Sequence, residues 1–127
     1  MSPANTVAPS AELQVLKAQF FKALAHPIRI RLLEVLAVGE ASVQDLQRAV
    51  NADQPIVSQQ LARLRSTGIV VTRKQGTLIY YAVADPMIGE LLMVAKKILN
   101  RQLVGVQSLL EELEHEAGAR RRPRASR

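Results

Sequence analysis

Apolar positions in this chain repeat with a helical period over most of its length and with a strand period over one short stretch. Leu13, Leu16, Phe20 and Leu24 fall at i, i+3, i+7 and i+11, one stripe along a helix predicted over Ala11–Leu24. His26-Pro27 breaks that helix, because the residue before a proline avoids the α region. Pro27 is tolerated in the first turn of the next helix, Pro27–Val38, where its missing N–H costs nothing. Ile30, Leu33 and Leu36 or Ala37 are the expected inner face of that helix, and Gly39 its C′ residue. Ser42 is placed to cap a short third helix, Val43–Val50, with Asp45 as the acidic half of a capping box. After the turn Asn51-Ala52, Asp53 is placed to cap a fourth helix that runs to about Ser66 and stops at Gly68, with Pro55 in its first turn.

The period then changes. Ile69–Arg73 and Leu78–Val83 are rich in β-branched and aromatic residues, and they flank Lys74-Gln75-Gly76-Thr77. This pattern predicts a hairpin, with glycine where a positive φ is needed. Beyond Asp85-Pro86 a long helix is expected over Met87–Glu116, with its apolar stripe at Ile88, Leu91, Leu92, Ala95, Leu99, Leu103, Val106, Leu109 or Leu110, and Leu113. The order is helix, helix, helix–turn–helix, hairpin, helix. That makes the fold mainly α with a small β-hairpin wing: a winged helix-turn-helix with an additional helix at each end. We expect a disordered arm over residues 1–10, one DNA-binding and dimerisation domain over 11–117, and a disordered basic tail over 118–127.

Composition narrows the function. The 127 residues suit one domain, and the 48% apolar content can build a core with only four aromatics, Phe20, Phe21, Tyr80 and Tyr81. A domain this small gains from dimerisation, which adds buried area. No cysteine is present, so disulfides, thiolate metal sites and cysteine nucleophiles are excluded. No apolar run approaches the ~20 residues that span a bilayer. Met1–Ser10 lacks a basic segment followed by an apolar stretch, so no signal peptide and no membrane partner are expected, and the chain reads as cytoplasmic. There is no glycine-rich phosphate loop and no Gly-x-Ser-x-Gly, so neither an enzyme nor a cofactor is expected.

The net charge of +6 is mostly a tail effect, because Arg120, Arg121, Arg122, Arg124 and Arg127 account for five of the 17 basic residues. Without them, 12 basic and 11 acidic groups remain. Placement says more than the total. No acidic residue lies between Asp53 and Asp85, while Arg63, Arg65, Arg73 and Lys74 do. A local basic surface of this kind is what counterion release from phosphates requires.

Ala23-Leu24-Ala25-His26-Pro27-Ile28-Arg29-Ile30-Arg31-Leu32-Leu33 resembles the signature opening of the ArsR/SmtB family of bacterial winged-helix regulators. Val57-Ser58-Gln59-Gln60-Leu61-Ala62-Arg63-Leu64-Arg65-Ser66-Thr67-Gly68-Ile69-Val70 resembles that family's recognition-helix motif, and Gly76 followed by Tyr80-Tyr81 resembles its wing. The match runs in register from about Leu13 to Leu113. It departs at Gln60, where the family often has His. The resemblance implies a homodimer formed through the first and last helices, and repression that ends when an effector binds.

In a helix-turn-helix the N-terminal part of the second helix meets base edges. Gln54, Ser58, Gln59 and Gln60 are the candidates here, since Gln can bond adenine bidentately and Ser can serve several bases or a phosphate. Ile56, Val57, Leu61 and Leu64 are expected to pack that helix onto the domain. Arg63 and Arg65, with Arg73, Lys74 and Thr77 of the wing, suit phosphate or minor-groove contact with double-stranded DNA. Leu13, Leu16, Phe20, Leu92, Leu99, Leu103, Val106 and Leu110 are expected to bury against a two-fold copy. His26 reads as structural.

The family's metal sites are the remaining chemistry. Ser42 and Gln44 stand where one such site has thiolates. Asp85, Met87, Ile98 and Arg101 stand where another has Asp, His, His and Glu, so no metal is expected at either. His115 with Glu112 or Glu116 is left open as a different site, or as a solvated helix end. The effector is unknown from these residues. A nonspecific architectural DNA-binding protein using the basic tail is the alternative reading.

Overall fold

A computed structural model of the chain describes residues 10–121, which fall into two compact units divided between Glu90 and Leu91. The first unit opens with α1 (Ala11–Leu24). Ser10 lies at the end of the expected arm, yet it caps this helix, its hydroxyl accepting from the Leu13 N–H at 3.2 Å. Of the α1 stripe only Leu24 is buried. Leu13 and Leu16 are exposed and Phe20 is half-buried, with its ring edge-to-face against Phe21 at 5.5 Å. The rest of the arm, residues 1–9, lies outside the described residues.

His26 caps α2 (Pro27–Val38), its Nδ1 accepting from the Ile28 N–H at 3.1 Å. Leu32, Leu33 and Leu36 are buried on this helix. Ile30, expected inside, is exposed instead, because it sits about a third of a turn from the middle of the arc that those three leucines define. Gly39 ends α2 with φ 172°, extended backbone that any residue adopts, rather than the left-handed cap expected of it.

β1 is the two-residue strand Ala41–Ser42, which sequence periodicity cannot register at that length. α3 (Val43–Val50) starts on the expected capping box: the Ser42 hydroxyl accepts from the Asp45 N–H, and the Asp45 carboxylate accepts from the Ser42 N–H. Asn51 then turns the chain through the left-handed region at φ 51°. Arg31 of α2 donates to the Val50 carbonyl at 3.1 Å, satisfying an orphan acceptor at the end of α3 and fixing the turn.

α4 (Gln54–Ser66) follows. Asp53 holds its N-cap position, but its side chain makes no capping hydrogen bond, against expectation. α2, α3 and α4 pack on one another around Leu32, Leu33, Leu46, Val57, Leu61 and Leu64, all fully buried. Gly68 closes α4 at φ 77°, where a side chain would be strained.

β2 (Val70–Gln75) and β3 (Leu78–Val83) form an antiparallel hairpin, and the three strands lie in the order β1-β3-β2. Lys74 and Gln75, expected in the connection, are strand residues paired with Ile79 and Leu78. Gly76-Thr77 alone makes the turn, with Gly76 at φ 63°, the conformation a two-residue hairpin demands. Together these elements make a winged helix-turn-helix, mainly helical with a small antiparallel wing.

α5 (Met87–Arg121) begins in the first unit, where Ile88 is buried, and its remainder is the second unit. The helix runs past Glu116 and through Gly118, where an end was expected. One glycine costs a helix only about 1 kcal/mol, and Ala117, Ala119 and the first arginines offset it by favouring the helix. Residues 122–127, the rest of the expected tail, lie outside the described residues. At 35 residues α5 is roughly 52 Å long.

Candidate nucleic-acid interface

α4 carries a division of labour along its length. Val57, Leu61 and Leu64 repeat at helical spacing and are fully buried, so the helix is locked in rotation about its own axis. That locking turns Gln59 and Arg63, one turn apart, outward together, with Gln54, Ser58 and Arg65 also exposed. Gln60 sits on the flank and is half-buried. Ile56, expected among the packing residues, is exposed, because it lies on the opposite side of the helix from Leu61. A non-polar side chain thereby joins the outward face, where it can touch a thymine methyl.

The wing places its basic residues on different faces. Val70 is buried and Val71 exposed, so Val70, Thr72 and Lys74 lie on the inward-turned face and Val71, Arg73 and Gln75 on the outer one. Lys74 and Thr77, near the tip, are exposed. Arg63, Arg65 and Lys74 make no ion pair among the described residues.

Arg73 does. It stands opposite Tyr80, which in turn stands opposite Ser42 on β1. Its guanidinium reaches across the sheet, lying 4.7 Å from the centroid of the Tyr80 ring. Beyond that ring it meets Glu40, the residue before β1. Nε donates to Glu40 Oε2 at 2.9 Å and to Oε1 at 3.1 Å, Nη2 donates to Oε1, and Nη1 donates to the Gln75 side chain at 2.8 Å. The hydrogen bonds from Arg73 hold the Glu40 carboxyl below the usual carboxylate range, and the same bonds raise the Arg73 pKa. Glu40 is a partner of this candidate residue that the sequence alone does not reveal. It lies 33 positions away and outside the acid-free stretch, so only the strand order, through the two-residue β1, reveals it.

The side chains suspected of metal binding have other work. His26 Nδ1 is occupied as a cap, Ser42 belongs to the α3 capping box, and Asp85 Oδ1 accepts from the Met87 N–H at 2.9 Å at the start of α5. His115, Glu112 and Glu116 are exposed on the far part of α5. Among the described residues no three His, Cys, Asp or Glu side chains are placed to hold a metal ion.

The face that the second unit presents is apolar. On α5, Leu99, Leu103, Val106 and Leu110 are between 53% and 65% exposed, far more than an apolar stripe tolerates in water, whereas Leu92 is half-buried.

Comparison with known proteins adds to these findings. The model of the bacterial regulatory protein arsR family matches residues 26–72. An HTH-type transcriptional regulator of Mycobacterium tuberculosis (strain H37Rv), Rv0081, is 46% identical over 105 residues, 82% of this chain and 92% of that protein. Its crystal structure superposes with a TM-score of 0.68 over 76% of this chain and 97% of that one. The transcriptional repressor BigR from Xylella fastidiosa superposes at 0.65 with 32% identity, over 77% of this chain and 96% of that one. A homodimeric winged helix-turn-helix DNA-binding domain from Mycobacterium bovis superposes at 0.64 with 29% identity, over 76% and 93%.

Proposed function

Since the chain belongs to the arsR family of bacterial regulatory proteins and is a transcriptional regulator, we propose that it is a dimeric, effector-controlled repressor that reads the major groove of double-stranded DNA with α4. One observation carries this reading. The buried row Val57, Leu61 and Leu64 leaves Gln54, Ser58, Gln59 and Arg63 facing outward, on a stretch of chain without a single carboxylate from Gln54 to Ala84. Ser58 and Gln59 read base edges, Gln54 and Gln60 flank them, and Arg63 and Arg65 neutralise phosphates. Lys74 and Thr77 of the wing reach the backbone or minor groove beside the site, and Arg73 belongs to the same basic set.

The dimer supplies the second half of the reader. Leu13, Leu16 and Phe20 of α1 and Leu92, Leu99, Leu103, Val106 and Leu110 of α5 bury against a second copy; the exposure of all of them but the half-buried Phe20 and Leu92, and the homodimeric relative, support this. A two-fold pair sets its two α4 helices about one turn of DNA apart, ~34 Å, and therefore favours a palindromic site. Selection from a random duplex library tests the proposal. An imperfect palindrome with half-sites one turn apart is the expected product, and enrichment of no sequence would reject it.

A further inference from the structure

Granting the DNA-binding reading, we infer that Glu40 sets the strength of DNA binding by competing with phosphate for Arg73. Two independent features of the sheet support this. First, Arg73 is not a free cation: Glu40 takes bonds from Nε and Nη2, Gln75 takes one from Nη1, and Tyr80 lies beneath the guanidinium. Such a two-point grip by one carboxylate is the geometry in which a guanidinium also grips a phosphate, so the two anions are alternatives at the same fork. Second, the strand order fixes where the rival sits. Arg73 must cross β3 to reach the residue before β1, so its guanidinium is drawn toward the β1 edge of the sheet.

The exchange has a defined electrostatic consequence. While Glu40 holds Arg73, the pair is neutral and attracts no counterion that DNA could release. If a phosphate displaces Glu40, the carboxylate is left facing the DNA backbone and the gain is cancelled. Glu40 therefore removes one cation from the wing, and Lys74, on the other face, makes no ion pair among the described residues. Both partners are about half exposed, so the exchange does not require unfolding of the sheet. The sequence alone credits the wing with a contact that the folded protein restrains.

Binding of the full chain to a mixed-sequence duplex of about 30 base pairs, measured against salt for wild type, Glu40→Gln, Arg73→Ala and the double variant, tests the inference. Each phosphate neutralised contributes about 0.9 to the slope of log K against log salt. Glu40→Gln should steepen the slope by up to that amount and tighten binding at low salt, so that its affinity falls roughly 3.5-fold more than wild type's between 50 and 200 mM salt. The double variant should lose the extra slope. An unchanged slope in Glu40→Gln, or weaker binding, overturns the inference and makes Glu40 a positioning residue for the wing. A wild-type chain that binds no duplex at low salt overturns the DNA-binding reading itself, and the inference with it. Circular dichroism of each variant separates a lost fold from a lost contact.

Discussion

Leu61→Ala is the sharpest perturbation of the arrangement that aims α4. Leu61 is fully buried, midway along the helix, between Val57 and Leu64. Truncation removes three carbons, and at about 0.8 kcal/mol for each the transfer loss alone is roughly 2.4 kcal/mol. The cavity left among Leu32, Leu33 and Leu46 adds to this, and buried Leu→Ala changes in general cost ~2–5 kcal/mol. Domains of this size have only about 5–15 kcal/mol in total, so the loss is a large share of it. Ile56→Ala is the matched control: it deletes a similar side chain one turn earlier, on the exposed side, and should cost well under half as much. Urea unfolding of both variants, with the slope m checked for constancy, gives the two values. If Leu61→Ala lost less than about 1 kcal/mol, or if Ile56→Ala lost as much, α4 would not be rotated as described and the outward set built on Gln59 would be wrong.

Two further outcomes follow from the same geometry. Replacing Leu99 and Leu103 together by Glu places two charges on the exposed α5 face and should convert a dimer to a monomer, read by sedimentation equilibrium, with DNA affinity falling because only one half-site is then held. The lowered pKa values of Glu40, held by Arg73, and of Asp45, held first by Ser42, make their ionised forms stabilising. That stabilisation is present above the unfolded carboxylate pKa of roughly 4 and is lost as pH falls through the lower folded values, so thermal midpoints should drop below about pH 4, and less steeply in Glu40→Gln.

Much of this fold was legible because its local signals agree with one another. The capping box at Ser42 and Asp45, the prolines at the starts of α2 and α4, and the glycines at positions 68 and 76 each specify a boundary within a few residues, and the backbone obeys them. What sequence could not supply is long-range pairing. β1 is two residues long and exists because it pairs with Tyr80 and Tyr81, so no periodicity announces it. Through β1 the position of Glu40 was hidden too, and Arg73 read as a free wing cation. Ile30 and Ile56 misled for a different reason. An apolar residue counts toward a buried stripe until the rotation of its helix is known, and that rotation is set by Leu32, Leu33 and Leu36 in α2 and by Val57, Leu61 and Leu64 in α4. The run past Gly118 reflects a glycine whose helix cost is small enough for its alanine neighbours to outweigh. Among candidate site residues, the outward set on α4 was readable because its buried neighbours are close in sequence.

In the proposed complex Ser58 and Gln59 read bases while the arginines around them hold phosphates. A competition measurement on the full chain tests it most directly, comparing affinity for a selected palindrome with affinity for the same duplex scrambled, in wild type and in Ser58→Ala/Gln59→Ala. Each good base contact discriminates by about 1–3 kcal/mol, so the double variant should lose at least about tenfold in preference while keeping its affinity for scrambled DNA and its salt slope. Full preference in the double variant would refute this assignment and move base reading off Ser58 and Gln59.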